Sequence, residues 1–423
     1  MNRENAPSLS IPTGSKSANL TRTTIPERVL FSALARMHRG ELIIRYGDQE
    51  RRFGPGGVDA LRAEIHVHDR SLFSRLLTGG TIGAAESYRD GEWETPDLTS
   101  VVRIFLQNRA VLDGVDGGVT RLMAPIRKLL HLWNRNSITG SRRNIGAHYD
   151  LSNEFFRLLL DNAMSYSSGI FESADQSLEE ASIAKNDRLC RKLDLGPHDH
   201  LLEIGTGWGA FAIQAASEYG CRVTTTTISR EQFLVARDRI GAAKLGDRID
   251  LRLEDYRELS GVYDKLVSVE MIEAVGHSYY GEFFSSCSDR LAKDGLMAMQ
   301  AITVADQHYN KARRTVDFIK KHIFPGCNIP SVTALLGAAT RSSDLRVLQL
   351  EDITSHYPRT LREWRANLSE HREEARALGF DERFLRLWDF YLSYCEGGFI
   401  ERSIGTVQML FQKPEWRGEA QLS

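Results

Sequence analysis

The sequence predicts an α/β protein built on a mostly parallel, doubly wound sheet, with a smaller α+β domain at its N-terminus. The 423-residue chain is longer than one compact domain usually requires. From about residue 146 onward, short apolar runs alternate with helical segments, as in βαβ units. One of these runs ends in a glycine-rich turn. A hydrophobic content of 42% supplies enough material for packed cores and excludes a disordered chain.

Four segments follow one another along the chain. Residues 1–25 are rich in Ser, Thr, Asn and Pro without periodicity, which predicts a disordered leader. Residues 26–115 predict the smaller domain, with a helical stretch at 29–37 and strands at 41–46 and 63–67. Residues 116–145 predict a basic amphipathic connector, and residues 146–423 predict the larger domain.

The larger domain is predicted to contain six strands. Each is a short run rich in residues that favour strands. Because helical segments separate the runs, crossover helices and parallel pairing are expected. The predicted strands lie at 201–204, 221–224, 249–251, 265–269, 296–299 and 407–411.

The charge of the chain is balanced globally but not locally. With 54 Lys and Arg against 56 Asp and Glu, the net charge of −2 gives no reason to expect nucleic acid binding. The connector interleaves apolar residues with six basic ones and has no acidic residue after Asp116. Such a segment predicts contact with an anionic membrane surface, and a linker helix packed on the larger domain is the alternative. The basic residues are Arg121, Arg127, Lys128, Arg135, Arg142 and Arg143.

The compartment is predicted from what the sequence lacks. The five cysteines are widely spaced without a C-x-x-C pair, which suggests neither a disulfide framework nor a metal site. No run reaches the roughly 18 apolar residues of a membrane span. We therefore expect a cytoplasmic protein that associates peripherally with the inner face of the membrane, and a homodimer is compatible with the sequence.

The sharpest local motif is the turn from Gly205 through Gly207 to Gly209, which follows a predicted strand. Its G-x-G-x-G spacing differs from the G-x-G-x-x-G of dinucleotide sites. Glu203, at the end of that strand, can accept from the amino group of S-adenosylmethionine while the helix N-terminus binds its carboxylate. This pattern predicts an S-adenosylmethionine site, and a strand–helix turn without a ligand is the alternative.

Polar groups for the rest of this cofactor follow the next two strands. The 225–229 segment and Gln232 supply hydroxyl and amide groups for the ribose. Asp255, after the third strand, can accept from the adenine amino group, and a solvated turn is the alternative reading there. The predicted cofactor site therefore spans three strand ends.

Several further stretches carry a family resemblance. Residues 148–156, 164–171, 269–277, 318–326 and 390–396, taken with the glycine-rich turn, resemble the cyclopropane fatty acid synthase family of methyltransferases. The resemblance covers about 145–413, and residues 80–93 resemble the extra N-terminal domain of longer members. It implies S-adenosylmethionine as methyl donor and a cis double bond in a membrane phospholipid acyl chain as acceptor.

The resemblance also assigns residues by position. It implies catalytic roles for Glu273, Tyr357 and Cys395. A family bicarbonate ion would be held at positions that are Ser168 and Gln300 here. Both can donate hydrogen bonds, but an amide cannot relay a proton, so the sequence leaves bicarbonate use open. Implied cofactor-binding residues are Tyr166, Ser167, Gly205, Gly207, Trp208, Thr227, Ile228 and Gln232.

The implied chemistry defines what the site must supply. An alkene that accepts a methyl group becomes a carbocation, which aromatic faces stabilise by about 2 kcal/mol when desolvated. Tyr166, Tyr357 and Tyr391 are candidates. Glu273 would remove a proton or orient the base that does so. Proton loss from the new methyl group closes a cyclopropane ring, the first expectation. Loss after a hydride shift gives a methylene or methyl branch, and a non-catalytic lipid-binding homologue is the other alternative.

Overall fold

The computed structural model describes residues 23–112 and 152–419. Within these stretches the chain forms one four-stranded and one seven-stranded sheet. Residues 1–22 of the predicted leader and the whole predicted connector lie outside the described residues.

The four-stranded sheet has the order β2-β1-β3-β4. β1 (Glu41–Tyr46) pairs antiparallel with β2 (Gln49–Phe53) and parallel with β3 (Arg62–Val67), and β4 is Trp93–Glu94. The first helix starts at Ile25, earlier than predicted, because a Thr24–Glu27 capping box fixes its N-terminus. The helices of this part are Ile25–Leu34, Ser71–Gly79, Thr81–Arg89, Leu98–Gln107 and Arg109–Leu112.

The seven-stranded sheet has the order β10-β11-β9-β8-β5-β6-β7. Strands β5 to β9 pair in parallel, whereas β11 is antiparallel to both β9 and β10. The predicted doubly wound, mostly parallel sheet is confirmed. The bounds are β5 His200–Ile204, β6 Arg222–Thr227, β7 Ile249–Leu253, β8 Tyr263–Val269, β9 Leu291–Val304, β10 Arg346–Asp352 and β11 Ile404–Gln412.

Helices cover both faces of this sheet, and neighbouring strand residues show why. Leu201 packs in one apolar cluster and Leu202 in another, as expected when successive side chains point to opposite faces. The helices are Asn153–Leu159, Leu178–Lys192, Ala210–Glu218, Arg230–Ala242, Ile272–Val275, Tyr280–Arg290, Asp306–Ala312, Val332–Ser342, Tyr357–Glu370, Arg372–Ala377 and Glu382–Ile400, with a π-helical turn at Ile319–Ile323.

The two parts of the chain share one core. The helix Leu98–Gln107 packs on Glu382–Ile400, and the Thr99 hydroxyl donates to a Glu396 carboxylate oxygen at 2.7 Å. A Cβ added at Gly397 would lie only 2.7 Å from Cγ1 of Val102, so the two helices touch backbone to side chain. The N-terminal part is therefore packed directly against a helix that covers the larger sheet.

Candidate active site

The glycine-rich turn connects β5 to the helix Ala210–Glu218 and leaves open space beside it. Gly205 and Gly207 have φ values of 104° and 53°, a left-handed region that favours glycine. A Cβ added at Gly207 would meet no atom within 4 Å. The backbone amides at the start of the helix face the same region, where a carboxylate is stabilised.

A cavity of about 370 Å³ opens at this turn, along the carboxyl ends of β5, β6 and β8. Ligands of open α/β sheets bind at this edge. Gly209 is not among the lining residues; it caps the helix that follows the turn. The predicted cofactor residues that line the cavity are Tyr166, Ser167, Glu203, Gly205, Gly207, Trp208, Thr227, Ile228, Gln232 and Asp255.

Glu203 is buried at the end of β5, where it accepts a hydrogen bond from the Thr225 hydroxyl at 2.5 Å. Burial raises the pKa of Glu203 to about 8, although Thr225 and the nearby Lys185 ammonium act in the opposite direction. The ionised form of such a buried carboxyl is stabilised most by a cationic partner. The ammonium group of S-adenosylmethionine would be such a partner.

The ribose and adenine candidates also face the cavity. The Thr227 hydroxyl donates to the Gln232 amide oxygen at 3.0 Å, which places both groups at the end of β6. Asp255 is buried in an ion pair with Arg257, whose Nε and Nη2 lie 2.8 and 2.7 Å from its two oxygens. These residues fit an S-adenosylmethionine molecule laid across the three strand ends.

The other end of the cavity is aromatic. The hydroxyls of Tyr166 and Tyr391 lie 3.0 Å apart, and the Tyr166 ring is 5.1 Å from the Trp364 ring. The Tyr357 ring stacks on Phe399 with centroids 4.2 Å apart. Four of these rings, Tyr166, Tyr357, Tyr391 and Phe399, line the cavity and would favour a cationic intermediate.

Two glutamates follow β8 and reach the cavity wall together. Glu270 was not predicted from the sequence, yet its partly buried carboxylate accepts three hydrogen bonds. The donors are the Ser168 backbone amide at 3.0 Å, the Gln300 side-chain amide at 2.7 Å and the Tyr357 hydroxyl at 2.6 Å. Burial raises the pKa of Glu270, while these donors lower it.

The backbone of Glu270 is left-handed, with a φ of 48°. A non-glycine residue in this conformation costs about 1–3 kcal/mol, and such strain clusters at functional sites. The signal was present in the sequence, because an acidic residue three positions before Glu273 at a strand end is itself a candidate for the site.

Glu273 is partly buried and has fewer partners than Glu270. Its Oε1 accepts from the Ile302 backbone amide at 2.5 Å, and its Oε2 has no hydrogen-bond partner among the described residues. Burial, together with the charge of Glu270, raises the pKa of Glu273 to about 8. The pair therefore holds a proton at neutral pH more readily than two isolated carboxylates would.

The remaining predicted catalytic residues divide into two groups. Tyr357 and Cys395 line the cavity, and burial raises the pKa of the Cys395 thiol, so it stays neutral. Ser168 and Gln300 are fully buried behind Glu270 and contact its carboxylate instead of lining the cavity.

This fold and site define a class I S-adenosylmethionine-dependent methyltransferase. The family model for mycolic acid cyclopropane synthetase matches residues 136–409, well over half of the chain. The chain belongs to this family.

Curated relatives extend the similarity beyond the family match. A tuberculostearic acid methyltransferase of Mycobacterium tuberculosis is 37% identical over 81% of this chain and 82% of its own length. The cyclopropane-fatty-acyl-phospholipid synthase of Escherichia coli is 33% identical over 83% of this chain and 88% of its own. Relatedness at this level supports S-adenosylmethionine-dependent methyl transfer to a lipid.

Solved structures give the same result for the larger sheet. The cyclopropane synthase MmaA2 of Mycobacterium tuberculosis superposes with a TM-score of 0.60 at 30% identity, covering 64% of this chain and 98% of its own. A mycolic acid cyclopropane synthase complexed with SAH and CTAB gives a TM-score of 0.60 at 32% identity over the same shares. S-adenosylmethionine is the cofactor of this site.

Proposed function

We propose that this enzyme methylates a carbon of the cis double bond in unsaturated phospholipid acyl chains, with S-adenosylmethionine as donor. The observation that carries the proposal is one continuous cavity, which joins a polar cofactor half at Gly207 to an aromatic half with two partly buried carboxyls, Glu270 and Glu273. The proposed donor-binding residues are the ten predicted ones that line the cavity, and Glu273, Tyr357 and Cys395 form the acceptor side.

The phospholipid acceptor is supported by the extent of the similarity. The phospholipid synthase relative covers 83% of this chain, a share that must include much of the N-terminal part. The cyclopropane mycolic acid synthase 1 relative covers only 64%. Leu106, on the helix Leu98–Gln107 of that N-terminal part, contributes to the cavity wall.

The first product we propose is a cyclopropane ring. A methylene or methyl branch is the second candidate, because a relative with 37% identity is named for tuberculostearic acid rather than for a ring. Both products start from the same cation: direct proton loss from the new methyl group closes the ring, and proton loss after a hydride shift leaves a methylene branch, which a separate reduction would convert to a methyl branch.

We also propose that the enzyme docks peripherally on an anionic membrane surface. The structure contains no helix in its described residues with the length and apolar character of a membrane span. The basic connector, which lies outside those residues, is the proposed contact, since each Lys or Arg near such a surface contributes about 1 kcal/mol.

The test uses the full-length enzyme, methyl-labelled S-adenosylmethionine and vesicles of dioleoylphosphatidylglycerol. We expect label in the acyl chains, each one CH2 heavier, and NMR of the released esters separates ring protons from vinylidene protons. Vesicles with saturated chains are the matched control. Labelled product from free unsaturated metabolites but not from vesicles, or no acyl label with cofactor binding intact, would contradict the proposal.

A further inference from the structure

The Glu270 carboxylate occupies the place where the family resemblance puts a separate anion. Its three hydrogen-bond donors come from Ser168, Gln300 and Tyr357, and the first two positions are those implied to hold bicarbonate. The donors arise from separate segments of the chain and converge on this one carboxylate.

The orientation of Gln300 strengthens this assignment. Its amide oxygen accepts from the Gln408 side chain at 3.0 Å, on the neighbouring strand β11. That bond directs the amide nitrogen toward Glu270, where it donates at 2.7 Å. A buried amide that is fixed in this way presents a hydrogen-bond donor to an anion.

Bicarbonate does not fit the site as it stands. The hydrogen bonds that a bound bicarbonate would receive from the Ser168 amide, Gln300 and Tyr357 already end on Glu270. A second anion beside that carboxylate would also meet like-charge repulsion in a buried site.

We propose that Glu270 is the built-in general base of this enzyme and replaces bicarbonate. The inference rests on the proposed lipid methylation. Once the alkene carbon holds the new methyl group, a Glu270 oxygen takes one proton from the carbocation. The C–H electron pair left behind closes the ring, or, when a hydride shift has first moved the positive charge to the methylated carbon, forms the exocyclic double bond. The product is neutral, and the protonated Glu270 returns its proton to solvent before the next turnover.

Glu273 has a different role in this arrangement. With one backbone donor against three for Glu270, it is the less favourable site for a negative charge. We assign the proton of the pair to Glu273. A neutral Glu273 leaves Glu270 ionised as the base and places no second negative charge beside it.

The key variant is Glu270→Gly. Glycine suits the left-handed backbone at this position, so the change removes strain. It also leaves a space in which the donors of Ser168, Gln300 and Tyr357 have lost their acceptor. Asp194→Gly is the matched control, because Asp194 is an exposed acidic residue outside the cavity with the same φ of 48°. The Asp194→Gly variant also loses one carboxylate from a residue with the same backbone conformation.

Turnover on dioleoylphosphatidylglycerol vesicles is measured in buffer stripped of carbon dioxide and again with added bicarbonate. We expect the wild type and Asp194→Gly to be unaffected by bicarbonate. Glu270→Gly should lose about 100-fold or more in turnover, the usual contribution of a general base, and recover part of it when bicarbonate is added. Wild-type turnover that depends on bicarbonate, or Glu270→Gly turnover that survives without it, would overturn the proposal.

Binding of 13C-labelled bicarbonate, followed by NMR line broadening, provides a readout that needs no lipid. We expect binding to Glu270→Gly and none to the wild type, and binding to the wild type would refute the assignment. If the lipid function itself were wrong, no variant would modify vesicles while this binding difference persisted, so the two failures are distinguishable.

Discussion

At the residue scale, the site shows how different neighbours give two glutamate side chains different protonation behaviour. Glu270 and Glu273 are both partly buried glutamates that follow β8, yet only Glu270 is surrounded by donors that stabilise an anion. Glu273, close to that charge, has its pKa raised to about 8. Burial alone would raise the pKa of both carboxyls. The hydrogen-bond donors around Glu270 make it the better site for the negative charge.

Substituting each glutamate by glutamine tests this division. We expect Glu273→Gln to lower turnover about tenfold, because a neutral amide keeps the size of the protonated carboxyl but not its proton exchange. Glu270→Gln should cost about 100-fold or more, because it removes the base. Calorimetry should show S-adenosylmethionine affinity unchanged in both. A larger loss for Glu273→Gln would make Glu273 the base.

At the element scale, the β5 turn and the helix Ala210–Glu218 form the proposed cofactor cradle. The turn needs left-handed backbone at Gly207, and the space beside it is open. The same local geometry therefore lets the chain turn from the strand into the helix and leaves room for the ligand.

Gly207→Ala should weaken S-adenosylmethionine binding at least tenfold, since the methyl group enters the cradle and strains the backbone. Gly379→Ala is the control: Gly379 is exposed, also left-handed with a φ of 97°, and has open space around it. Both variants should lose about 1 kcal/mol of unfolding free energy, but only Gly207→Ala should change the calorimetric affinity. Equal affinities in the two variants would argue against ligand contact at the turn.

At the scale of the whole molecule, the N-terminal part is packed through Gly397 and Val102 onto the helix that carries Tyr391 and Cys395. A Cβ at Gly397 would lie 2.7 Å from Val102, a distance that requires one helix to move. The accessory part thus supports a wall of the active site.

Gly397→Ala should destabilise the protein by about 1–3 kcal/mol through overpacking. Adding Val102→Ala removes the clashing methyl groups and should restore part of that loss, so a denaturant-based double-mutant cycle should show a favourable coupling. Additive effects of the two changes would mean that the helices do not touch as described.

The buried Glu203 links stability to pH. Its folded pKa of about 8 lies above its ordinary value of 4.5, so the folded state binds the extra proton. Its contribution is complete below about pH 4.5 and is lost as the pH rises through 8. We expect Glu203→Gln to reduce the fall in unfolding free energy over this range, measured by urea titration at several pH values. An unchanged pH dependence would show that Glu203 is not the linked group.

Much of the fold was predictable because its signals are local. Six of the seven strands of the larger sheet are rich in apolar or β-branched residues, and these six were located from the sequence. The edge strand β10 (Arg346–Asp352) was missed because it is largely polar and half-exposed, without a buried apolar run. Strand β2 was missed for the same reason, since its middle residues are exposed and polar.

The sequence by itself determined the α/β class and predicted the cofactor residues, since the glycine-rich turn and the strand ends that flank it are contiguous motifs. Only the tertiary structure decided which group faces the acceptor side. Ser168, Glu270, Gln300 and Tyr357 lie on four separate segments. They meet because β8 and β9 pair with Val269 opposite Gln300, which places Glu270 beside that amide. Register between strands is a long-range property, so no local pattern around Glu270 could reveal its three donors.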